Sequence, residues 1–256
     1  MPRTRRSVPI GFSAPPKIEP TFQVDSARCT TGRLDFPHAL FAPLHYTPGY
    51  AYPLIVWLHG PGDDERQLQR IMPIVSMQNF LAAAPRGFLS ASEDGTTAEG
   101  CRWRQTDDDI QQASQRVFET VEIARQKFHI HPRRIFLAGF DCGGTMALRL
   151  AMNHPTRFAG VVSLCGPFPT GNSPLGNLIA ARRLGLLLAS GRDSRRYSAA
   201  TVCEDLRLLH TAGLSVTVRQ YPCGDELTPQ MLADVNRWIM EQVLSTRSES
   251  LEPAAD

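Results

Sequence analysis

RRIFLAGFDCGGTMALRLA, residues 133–151, decides how this chain is read. Its first part, RRIFLAGF, is a short apolar run of the kind that forms a buried strand. Its second part continues as GGTMALRLAMNH, a helical pattern that begins at two glycines. Between them Asp141 has Gly139 two residues before it and Gly143 two residues after. A strand that bends this sharply into a helix lifts the residue at the bend above the sheet, and small flanking residues let strand and helix close on each other. Asp141 occupies that bend, Gly144 supports the close packing, and the N–H of Cys142 opens the helix. A plainer reading is a tight βα turn in which Asp141 caps the helix.

Working outward, five more apolar runs read as strands: PLIVWLHG from Pro53, NFLAAAPRG from Asn79, AGVVSLCGPF from Ala159, LGLLLASGRD from Leu184 and LSVTVRQYP from Leu214. Helical patterns lie among them. DDDIQQASQRVFETVEIARQKF puts Ile110, Val117, Val121 and Ile123–Ala124 on one stripe, with its acids at the N-terminal end that the helix dipole favours. LTPQMLADVNRWIMEQVL closes the pattern with Pro229 in a first-turn position. This alternation predicts an α/β fold, a mostly parallel twisted sheet with helices on both faces. One domain is expected over residues 21–246, between disordered tails at 1–20 and 247–256. Residues 88–106, rich in Ser, Thr, Gly and Glu, suit a rim or lid.

The 256 residues are 42% hydrophobic and 20% charged, enough to bury a substantial core. A net charge of +2 gives no reason to expect nucleic acid or an anionic membrane as partner. No segment reaches the ~18 apolar residues of a membrane span. Pro, Gly and Ser follow Arg3, Arg5 and Arg6 where a secretory signal would have an apolar run. The six cysteines lack CxxC spacing, so reduced thiols in a cytoplasmic protein are expected, with no metal and no cofactor. Nothing in the sequence sets the oligomeric state.

Across residues 50–245, LIVWLHGPGDD, APRG, CRW, IFLAGF-DCGG-TMALRLA, FAGVVSLCGPFP and YPCGDELTPQMLADVNRWI occur in an order that resembles the phospholipase/carboxylesterase family of α/β-hydrolases. That family includes acyl-protein thioesterases and small bacterial carboxylesterases. The resemblance implies an α/β-hydrolase fold with no large cap domain. It also implies a serine nucleophile on an elbow, a histidine base, a supporting aspartate and an oxyanion hole of two backbone N–H groups. The nucleophile position falls on Asp141. The histidine position, in Cys223-Gly224-Asp225-Glu226, falls on Asp225. The acid position in GRDS falls on Ser194, with Asp193 one residue early. The oxyanion positions fall on Pro61, which has no N–H, with Gly62 beside it, and on Cys142. Trp103, in CRW, lines the site by the same resemblance, although packing alone explains it equally well.

Serine-type acyl transfer needs an alcohol activated by an imidazole, and the resemblance places neither at its position. The expectation is a pseudo-hydrolase that binds a small-molecule ligand, an ester-like compound or a protein partner. The alternative is an active hydrolase of ester, epoxide or halide substrates with Asp141 as nucleophile, because G-x-D-x-G-G also resembles the elbows of haloalkane dehalogenases and epoxide hydrolases. Those families need a histidine to activate water, and they carry a cap for which residues 168–183 are too short a connection. Two carboxylates at short range oppose each other. Either one of Asp141 and Asp225 keeps a proton, or the pair, with Asp193, holds a divalent cation. His59 reads as a structural residue of its turn and His154 as surface. His129 and His131 read as a connector without metal, His210 as a cation at a helix end, and the Cys142 side chain as pointing away from the bend.

Overall fold

The computed structural model describes residues 22–23, 36–89 and 100–249. Residues 90–99 of the expected lid, the N-terminal tail and residues 250–256 lie outside the described residues. The strands are β1 (Phe22–Gln23), β2 (His38–Phe41), β3 (Tyr52–Leu58), β4 (Leu81–Pro85), β5 (Phe88–Leu89), β6 (Cys101–Arg102), β7 (Ile130–Phe140), β8 (Gly160–Leu164), β9 (Gly185–Gly191) and β10 (Val216–Tyr221). The helices are α1 (Gln67–Val75), α2 (Asp107–Lys127), α3 (Cys142–Asn153), α4 (Leu178–Ala181), α5 (Ala199–Thr211) and α6 (Pro229–Glu249). The main sheet has eight strands in the order β1-β2-β4-β3-β7-β8-β9-β10. β1 and β2 join antiparallel and the rest run parallel. All six strands expected from the sequence are present. β1, β2 and the β5–β6 pair were not foreseen, nor were α1 and α4.

Every residue of β3 is buried, because the sheet is covered on both faces. Leu54, Val56 and Leu58 face one core with Val117, Val121, Met146, Leu150 and Leu209. Ile55 and Trp57 face the other with Ile71, Met72, Leu232, Trp238 and Ile239. So α2, α3 and α5 cover one side, and α1 and α6 the other. Each fully buried aliphatic side chain here contributes about 2 kcal/mol. Thr106 starts α2 by accepting the Asp109 N–H at 3.3 Å, and three acids fill the first turn.

Two boundaries differ from the sequence reading. α6 runs on to Glu249, past the expected tail boundary at 247. His131 belongs to β7, whose first residues pair irregularly with β3 before the register settles at Leu54↔Ile135. The proline and two arginines of HPRR hid that strand start. No helix among the described residues is long and apolar enough to cross a membrane.

From β3 the chain steps outward to β4 and then returns to the other side of β3 as β7. The strand order therefore reverses between β3 and β7. Open α/β sheets form their crevice outside the strands' C-terminal ends at such a reversal. The segment after β3 is His59-Gly60-Pro61, and the residue after β7 is Asp141.

Candidate functional site

Asp141 has φ 49° and ψ −119°, a backbone conformation that L-residues rarely adopt. It is held there from below. A Cβ on Gly139 would come within 2.4 Å of the Gly143 backbone, one on Gly143 within 2.2 Å of the Leu58 carbonyl oxygen, and one on Gly144 within 2.5 Å of Ser163 Oγ. The Asp141 N–H donates to the Leu164 carbonyl at 2.8 Å, and its own carbonyl accepts from Thr145 at 3.0 Å. The side chain makes no capping bond to α3. The plain helix-cap reading is thereby set aside.

Instead the carboxylate meets a residue that the sequence reading missed. Arg196 Nη1 donates to Asp141 Oδ2 in a close ion pair. Arg196 sits on the loop between β9 and α5, and its backbone N–H donates to Asp225 Oδ1 at 3.2 Å. One arginine thus links both acids across the mouth of the sheet. Its only mark in the sequence is its place two residues after Ser194 at the acid position, which does not by itself indicate the contact.

Asp225 follows β10, where Ser194 Oγ donates to its Oδ1 and the Arg195 N–H to its Oδ2 at 3.4 Å. These bonds hold its pKa below the ordinary carboxylate value, the Ser194 hydroxyl contributing most and the charge of Arg196 least. The expectation that one acid of the pair keeps a proton therefore fails for Asp225. Nor are Asp141, Asp225 and Asp193 gathered around one point. Asp193 turns its carboxylate to Arg192 at 3.3 Å, and no cluster of three or more His, Cys, Asp or Glu among the described residues is arranged to hold a metal. Ser194 is buried, its oxygen also accepting the Tyr197 N–H at 3.0 Å.

The upstream loop is equally committed. Pro61 is exposed and has no N–H, while the Gly62 N–H donates to the Cys101 carbonyl at 2.9 Å. His59 is fully buried. Its Nδ1 donates to the Gly60 carbonyl at 2.8 Å, and its Nε2 accepts the Gly87 N–H at 2.9 Å. That pattern needs the neutral ring, and burial lowers its pKa accordingly. Trp103 is only 3% exposed and packs on the rings of His59 and Phe88 at 5.4 and 5.9 Å.

Cys142 is half-buried and packs against the α2–α3 core. Burial pushes its thiol up, opposed by the backbone of Trp103, so the sulfur is a neutral thiol at pH 7. Cys165 lies beneath the site with its thiol raised to about 12 by burial. The remaining histidines do not reach Asp141. His129 Nδ1 bonds Pro48 O at 3.0 Å, and His210 is in the last turn of α5. His154 is not a simple surface residue, because its Nε2 meets Ser114 Oγ at 3.1 Å and its ring packs on Phe118.

Comparison with known proteins agrees with this architecture. Carboxylesterases of Mesorhizobium loti and Bacillus cereus share the fold, with TM-scores of 0.66 and 0.63 at 19% and 20% identity. The superpositions cover 84% and 81% of this chain, and 99% and 94% of the other. Among curated relatives, NocK of Nocardia uniformis subsp. tsuyamanensis, named as an inferred esterase, is 33% identical over 135 residues, 50% of this chain and 38% of its own. A carboxylesterase SOBER1-like protein of Arabidopsis thaliana, its activity likewise inferred, is 24% identical over 124 residues, 47% of each chain. The matches thus span less than half the length of these curated relatives. Residues 49–242 match the profile of the phospholipase/carboxylesterase family. The chain belongs to that family of α/β-hydrolases.

Proposed function

We propose that this chain is a phospholipase/carboxylesterase-family protein without serine-type hydrolysis, which binds an ester-like small molecule or a partner at the mouth of the sheet. The observation that carries this reading is the Arg196 guanidinium closed onto the Asp141 carboxylate at the summit of the elbow. Acyl transfer at that summit needs an activated hydroxyl, and what stands there is a carboxylate whose charge is spent on an arginine. The base position holds Asp225, and its lowered pKa makes it a poor proton acceptor at neutral pH. An oxyanion would find Pro61 without an N–H and the N–H of Gly62 already engaged. Relatives named as carboxylesterases supply the ligand class, an ester-like compound.

The test is hydrolysis of short-chain p-nitrophenyl esters. The purified protein and its Asp141→Ala variant are expected to match the uncatalysed rate. Turnover that Asp141→Ala abolishes would overturn the reading.

A second reading, Asp141 as nucleophile toward an ester, epoxide or halide, draws support from the strained summit that presents a carboxylate to the crevice. Against it stand the pairing with Arg196 and, among the described residues, the lack of an imidazole hydrogen-bonded to Asp141. Mass spectrometry of the Asp141 peptide after exposure to alkyl halides, epoxides and esters is expected to show no ester adduct. A stoichiometric adduct would establish this second reading instead.

A further inference from the structure

At the far end of α3 from Asp141, about 18 Å along a twelve-residue helix, the surface carries two adjoining hollows of about 530 Å³ each. They share Thr156, Asn177 and Ala180. The first is further lined by Leu178, Ile179 and Arg183, the second by Phe118, His154 and Arg157. Ile179 is 86% exposed at the lip, an apolar side chain held out in water. The Arg157 guanidinium lies over the Phe118 ring at 4.9 Å, and among the described residues no carboxylate lies within ion-pair distance of Arg157 or Arg183. The segment that carries both arginines is itself basic. From residue 142 to residue 192 there are five arginines and no Asp or Glu, in a chain whose net charge is only +2. The carbonyl of Asn153 at the α3 terminus, which would repel an anion, is covered by Asn177 Nδ2 at 2.8 Å.

We infer that this paired groove binds a small amphipathic carboxylate. Its acyl or aryl part lies on Leu178 and Ile179, and its carboxylate is held by Arg157, seated over the Phe118 ring, and by Arg183. The volume falls in the range of small-molecule sites, and a guanidinium with no carboxylate of its own matches a carboxylate in charge and geometry. The size of the hollows favours one molecule over an extended surface. The site is separate from the mouth at Asp141 and does not depend on what that mouth does.

Isothermal titration with sodium octanoate at low salt tests the assignment on the full chain. The protein is expected to bind one equivalent saturably. Binding should weaken at least tenfold in Arg157→Glu and in Arg183→Glu, and vanish in the double variant. It should persist in Arg133→Glu, an exposed arginine elsewhere, and in Asp141→Ala. Octanol, of the same chain length without the charge, should bind at least tenfold more weakly than octanoate. Sedimentation with phosphatidylglycerol vesicles forms the second arm, and no arginine-dependent co-sedimentation is expected. Any of four results overturns the assignment: no octanoate binding, binding unchanged in the double variant, binding lost in Asp141→Ala, or vesicle binding without octanoate binding, which would make the patch a membrane-facing surface.

Discussion

Beneath Asp141 the backbone leaves no space for one extra carbon at Gly139 or Gly143, whereas above it the Arg196 side chain is 58% exposed to water. The two regions meet at Asp141 and obey different physics. Below, a strand and a helix meet backbone to backbone, so contact is steric and admits no substitute. Above, charged side chains meet in high dielectric, where pairing contributes little to stability and residues exchange at small cost. The lesson is that this fold can carry almost any polar chemistry on its elbow, while the elbow itself is fixed.

The sharpest way to break that comparison is Gly143→Ala. Its Cβ would press on two backbone carbonyl oxygens, that of Leu58 at the end of β3 and that of His59 just after it, which cannot rotate away as a side chain could. A loss of about 3 kcal/mol is expected in urea unfolding, at the upper end of overpacking effects. A loss under about 1 kcal/mol would show that the elbow is softer than its geometry implies.

Next comes acid sensitivity through His59. Its pKa is lowered in the fold from 6.5, so the unfolded chain takes up the proton first as pH falls. The stability it supports is intact above pH 6.5 and drains away below it, at up to about 1.4 kcal/mol per pH unit. In His59→Gln, unfolding free energies measured between pH 7.5 and 5.5 should fall less steeply than in the wild type. Parallel curves would contradict the neutral, bridging ring.

How far all this could be read in advance follows the same division. The steric frame was legible: GFDCGG could be read as strand, sharp turn and helix, because only glycine satisfies those approaches. The six buried strands were legible because burial on both faces writes continuous apolar runs. His59 was legible too, since its turn offers a carbonyl acceptor and excludes water. Arg196 was not. Its role depends on a loop folding across the strand ends, and an arginine in RDSRRYS carries no periodicity to mark that contact. β2 was missed for a related reason: a four-residue strand, HALF, is too short to show alternation.

Smaller effects test the upper region. Asp141→Gly should stabilise the chain by about 1 kcal/mol, because glycine adopts the positive φ of 49° without strain and an exposed ion pair offsets little of that gain. A destabilised Asp141→Gly would mean that the pair with Arg196 outweighs the backbone cost. Arg196→Ala should change the unfolding free energy by at most about 0.5 kcal/mol. A larger loss would show that the charged mouth holds the structure together.

The most direct measurement is intact-mass analysis after incubation with a fluorophosphonate, which marks an activated serine by covalent phosphonylation. With a carboxylate on the elbow and Ser194 buried as a donor to Asp225, the chain should leave the reaction at its original mass. A single stoichiometric adduct, on Ser194 or on any other serine, would show that the protein keeps a working nucleophile, and the account of its mouth would be wrong.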